Sequence, residues 1–162
     1  MNRLRSHARP AFTLLEAVMV ILVLALAVPP TVAFLDQSAS ARADAVNTTR
    51  ATTLAQCVME NVLADASSTA PGLGYAAFAD MTTYRDTPTT GLRDRISPMT
   101  GLFTGMGMSY TVGASAPVAS TGTTSGVVDQ DIFRVVTVTV TFESAQQATP
   151  LSIALSALVT EL

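Results

Sequence analysis

The sequence predicts an α+β protein: one long N-terminal helix, apolar in its first half and amphipathic in its second, packed on a small C-terminal antiparallel sheet. Three observations predict it. An apolar run over 12–35 passes without a stop signal into residues with helical spacing that continue to 66. Three C-terminal segments alternate apolar and polar residues with period two. A stretch rich in Gly, Pro, Thr and Ser separates the two patterns.

The first eleven residues, MNRLRSHARPA, form a short leader that carries Arg3, Arg5 and Arg9 and no acid. Residues 12–35 follow as FTLLEAVMVILVLALAVPPTVAFL. As a helix they would extend ~36 Å at 1.5 Å per residue, enough to cross a hydrocarbon core of about 30 Å with some tilt. The arginines ahead of the run place its start on the cytoplasmic side and the remainder of the chain outside. Pro29 and Pro30 interrupt the run. Each lacks an amide donor, so the carbonyls of Ala25 and Leu26 lose their helical partners, and a kink or a locally unwound turn is expected there.

Residues 36–66 contain neither Gly nor Pro. Ala39, Ala43 and Val46, then Leu54, Val58 and Val62, recur at spacings of three or four, which predicts an amphipathic continuation. Pro71, Gly72 and Gly74 mark its end. Residues 67–106 read as a long ordered connection with a few short elements, and 115–126 as a small, polar loop tip. In 107–162, Met108, Tyr110, Val112 and Ala114 share a face. So do Ile132, Val136, Val138, Val140 and Phe142, and so do Leu151, Ile153, Leu155, Ala157 and Val159. β-Branched alternation of this kind predicts half-buried strands in an antiparallel meander. Its apolar face needs a cover, and the amphipathic half of the helix is the available one.

Charge and composition narrow the functions. The chain carries 9 basic residues, all Arg, against 12 acids. Without the leader the balance is six against twelve, and an acidic remainder lacking a basic patch argues against a direct nucleic-acid surface. Cys57 is the single cysteine, so no internal disulfide is expected; it reads as a small apolar helix residue. His7 is the single histidine, which argues against a catalytic triad or a histidine-based metal site. No Gly-rich phosphate loop, nucleophile elbow or metal-ligand cluster occurs, so the reading is of a non-enzyme with no catalytic residue, metal or cofactor. Asp129 and Asp131 could offer oxygen to calcium, but two acids before a strand read first as a solvated loop.

At the junction of leader and apolar run stands Ala11-Phe12-Thr13-Leu14-Leu15-Glu16. It resembles the signal of type IV prepilins and type II secretion pseudopilins, in which a basic leader is cut before a Phe that is followed four residues later by Glu. The last leader residue is usually Gly in that family and is Ala11 here. The run from Leu54-Ala55-Gln56 through Met59-Glu60 is similar to minor members of the family. The resemblance implies cleavage between Ala11 and Phe12 by a prepilin peptidase and N-methylation of Phe12. It also implies filament assembly through Phe12 and Glu16, the Phe12 amine of one subunit facing the Glu16 carboxylate of another. Implied partners are the peptidase, other pilin or pseudopilin subunits, the inner-membrane assembly platform and membrane lipid. The implied location is a bacterial inner membrane with the N-terminus cytoplasmic, followed by a cell-envelope or surface filament. The long connection and the lack of a cysteine pair point to a minor subunit.

Glu16 gives a physical argument beside the resemblance. A charge at a bilayer centre costs about 2.5–3.5 kcal/mol and less near an end, so a plain anchor gains nothing from it. A register-setting partner in a dry helical bundle would explain it. The alternative is a capping box, Thr13 with Glu16 at its third position. Two other functions compete. An ordinary signal peptide cut after Ala39-Ser40-Ala41 would release a secreted binding module. An uncleaved anchor would hold such a module on the membrane.

Overall fold

The computed structural model describes residues 13–127 and 129–161. The leader, Ala11 and Phe12 therefore lie outside the described residues. The chain divides into two compact units at Ala41–Arg42. The described part of the first is helical from Leu14, the start of helix α1, whose bounds are Leu14–Ala66. Pro29 and Pro30 lie inside this helix, which stays helical through both rather than unwinding. A loss of two amide bonds is compatible with a continuous helix when the flanking turns remain intact. Beside the pair, the Thr31 hydroxyl donates to the Ala27 carbonyl at 2.7 Å, a back-bond that bends helices locally.

In the second unit α1 buries Ala51, Leu54, Ala55, Val58, Met59 and Val62. These positions step by three or four and form one face. The sequence placed Ala39, Ala43 and Val46 on the same covering face; all three are exposed, Val46 to 49%. Small residues at helical spacing are compatible with a core face without requiring one. The end of α1 is fixed by the Asp65 carbonyl, which accepts the amides of Ser68 and Gly74. Gly74 sits at φ 87°, and a Cβ there would lie 2.8 Å from the Ser68 carbonyl oxygen, so this reversal needs glycine.

The connection is more helical than the sequence suggested. A 3-10 turn covers Tyr75–Ala79, helix α2 covers Met81–Asp86, and helix α3 covers Leu92–Gly105. Asp80 caps α2 by accepting the amides of Thr82 and Thr83. The sequence of the fourteen-residue α3 carries a weak helical signal, because Pro98, Gly101, Gly105 and three threonines or serines depress its propensity. Burial of Leu92, Ile96 and Thr100, four residues apart, outweighs that.

Strands β1 (Ser109–Ala114), β2 (Phe133–Phe142) and β3 (Leu151–Thr160) form one antiparallel sheet in the order β1-β2-β3. Val138 stands opposite Val112 on β1 and Leu155 on β3. Period two then puts Val136, Val138, Val140 and Phe142 inward, where they are 0–4% exposed. They share a core with the buried face of α1 and with Phe78, Tyr84, Leu92 and Ile96. The rings of Phe78 and Tyr84 meet edge to face at 5.0 Å. Each fully buried aliphatic side chain contributes about 1.5–3 kcal/mol, and the helix-on-sheet layer is the element of the predicted fold that this core realises.

Candidate functional site

The start of α1 is set locally. The Glu16 amide donates to Thr13 Oγ1 at 3.2 Å, and the Ala17 amide to the Thr13 carbonyl at 3.1 Å. Thr13 thus acts as the helix cap, which is half of a capping box. The reciprocal half, from the Glu16 side chain back to the Thr13 amide, is not formed, and among the described residues the Glu16 carboxylate has no hydrogen-bond or ion-pair partner. The helix N-terminus favours an acid there in any case.

Beyond Glu16 the helix presents apolar side chains all round. Leu14, Leu15, Ile21, Leu26, Phe34 and Leu35 are 60–86% exposed. This is the one helix among the described residues long and apolar enough to cross a membrane, and none of its most apolar stretch is buried within the chain. A helix apolar on every side, with this stretch uncovered among the described residues, is of the kind that can cross a bilayer. Pro29 and Pro30 lie within that stretch.

The second unit contains polar groups that the sequence did not single out. Asp65 is 6% exposed. Its carboxylate takes both terminal nitrogens of Arg95 and, at 2.6 Å, the Tyr84 hydroxyl. Burial and the bond to Asp65 push the Tyr84 phenol well above its ordinary range. Arg95 also donates from Nε to the Thr90 carbonyl. One buried carboxylate therefore ties the end of α1 to α2 and α3. Asp44 does the same at the other end of this unit. It accepts the Ala145 amide at 2.7 Å and the Ser144 hydroxyl at 2.8 Å, which hold its carboxyl below the usual range.

Asp131 takes the amides of Ser125 and Gly126, and these bonds lower its pKa. Its oxygens are spent on the loop before β2, and Asp129 is exposed beside it. Among the described residues no three His, Cys, Asp or Glu side chains gather as a metal would need. Cys57 lies half-buried on α1. A hollow of about 550 Å³ opens between Leu73–Ala79, α2 and Thr87–Gly91. Several of its polar groups are already engaged: Thr83 Oγ1 donates to Asp80, Thr87 Oγ1 to the Thr83 carbonyl, and Arg95 pairs with Asp65.

With that geometry in view, comparison with protein-family models, with curated proteins and with solved structures found no match.

Proposed function

We propose that this chain is a structural subunit, of the minor kind, in a type IV pilus-like or type II secretion pseudopilus filament, processed before Phe12 by a prepilin peptidase. The observation that carries the reading is the first part of α1. It exposes apolar side chains on all sides, yet keeps one carboxylate, Glu16, with no partner among the described residues. A helix meant only as an anchor would lose nothing by replacing that group with an apolar one. A helix meant to pack among identical helices uses it, because a carboxylate opposite the new Phe12 amine fixes one axial register and penalises every other. The second unit, with its core closed by the sheet, is suited to ride on such a helix outside the membrane. No catalytic step is assigned.

Processing is the direct test. Expressed with a prepilin peptidase, the chain should yield a mature form that begins at Phe12 and carries one extra methyl group by mass. A second reading has one observation in its favour: the compact unit begins at Arg42, the residue after Ala39-Ser40-Ala41. A signal peptidase cut there would release it as a secreted module. Against that cut, residues 39–41 lie inside α1, whereas a protease needs extended backbone. A mature chain starting at Arg42 would overturn the filament reading.

A further inference from the structure

β3 is an edge strand of ten residues, LSIALSALVT, with no charge, no proline and no glycine. All ten pair in unbroken register with β2, so no bulge turns the strand aside. Among the described residues nothing pairs with its other side. Natural sheets blunt such edges with charge, proline, bulges or a covering element. The opposite edge is treated so: β1 is six residues long, contains Gly113 and has α2 against it.

A second observation points to the same place. The inward residues of β2 are 0–4% exposed, while on β3 only Val159 is buried, and Leu151, Ile153, Leu155 and Ala157 pack against the core but are only half-buried. The core row runs on past β2 and is less fully covered along β3. An unpaired ladder and an unfinished apolar row together describe a missing strand. A row of free amides and carbonyls selects extended polypeptide over a helix or a lipid, and the absence of charge on both rows selects an uncharged partner.

Resting on the filament reading, we infer that the free edge of β3 receives an extended, uncharged, alternately apolar strand from a neighbouring filament subunit. A second copy's β3 in antiparallel pairing is not that strand. Asp44 joins α1 to the β2–β3 turn, and Leu63, Ala66 and Ser67 line a hollow with Leu158, Val159 and Thr160. Within this unit α1 therefore runs in the direction of β3, and the chain leaves towards its N-terminus at the Asp44 end. Antiparallel pairing of two β3 strands about a two-fold would put these exits at opposite ends. Subunits anchored in one membrane leave from the same end, so the contact is heterologous, the type that propagates rather than closes.

Hydrogen exchange on the full chain tests this, read by mass spectrometry in detergent and again in filaments sheared from cells that assemble it. In detergent the alternate β3 amides that face away from β2 should exchange fast. In filaments they should slow at least tenfold, with β2 amides protected in both. A subunit that incorporates while β3 exchange stays unchanged overturns this inference and leaves the filament reading standing. A subunit that never incorporates overturns both. Leu155→Cys in a Cys57→Ala background, oxidised in detergent, should stay monomeric; a symmetric disulfide dimer would overturn the heterologous contact in favour of β3 self-pairing.

Discussion

Glu16 and Asp65 are both acids on α1, and they answer different questions. Glu16 stands in a local pattern, four residues after Phe12 and three after Thr13, so sequence alone exposes it as a candidate. Its two proposed roles separate by substitution. If it pairs with a neighbour's Phe12 amine, Glu16→Gln should process normally and lose most incorporation into filaments, because Gln keeps the size and polarity of the side chain and drops the charge. If it serves only the helix start, Glu16→Ala should cost on the order of 1 kcal/mol of helix stability with near-normal assembly, and Gln less. Normal assembly of the Gln variant would defeat the register argument. Asp65 was not legible in the sequence. Its partners Tyr84 and Arg95 lie 19 and 30 residues away, and no periodicity links such positions. Asp65→Ala leaves a buried hydroxyl and a half-buried guanidinium without their acceptor. The loss should be about 2–4 kcal/mol in urea unfolding, below a fully buried pair because Arg95 reaches solvent. A loss under about 1 kcal/mol would show that the network is dispensable.

At the scale of elements, alternation carried the most information. The three strands were predicted at 108–114, 132–143 and 151–160, each within a residue of the observed bounds, because β-branched residues on one face leave few other readings. Helix α3 stayed hidden because tertiary burial, not propensity, holds it. The α1 cover was legible from Leu54 onward, where bulky residues recur, and misread at Ala39, Ala43 and Val46. The β2–β3 turn adds a pH dependence. Asp44 has a folded pKa below its ordinary value of 3.8, so its bonds to Ser144 and Ala145 contribute fully above that value. The contribution is lost as pH falls through the lower folded pKa. Acid melts of the wild type and of Asp44→Asn should therefore separate near neutral pH and converge as the pH falls below 3.8 through the lowered folded pKa; parallel curves throughout would remove the clip from the account.

For the whole molecule, the division of labour between the two units has a direct consequence. Every buried apolar residue of the core lies between Ala51 and Val159. The apolar half of α1 contributes none of it, although it holds most of the exposed large side chains. That half was legible in the sequence from its length and hydropathy; what covers its side chains was not, since nothing among the described residues does. A fragment beginning near Asp36 should therefore fold without the first half. It should be soluble and monomeric, with mixed helix and strand by circular dichroism and one cooperative thermal transition. Monomer is the expected state even with the β3 edge free, if the strand proposed for that edge belongs to a different subunit. Within this fragment Val138→Asp is the discriminating variant. Val138 is fully buried at the middle of β2 between Val112 and Leu155, neither of which can pair a new carboxylate. An unpaired charge there should cost more than about 4 kcal/mol, a large part of the 5–15 kcal/mol that a domain typically has, and the cooperative transition should vanish or move below room temperature. A fragment that is molten before any substitution, or a Val138→Asp variant that melts like the parent, would mean that the helix-on-sheet core is not what holds this unit together.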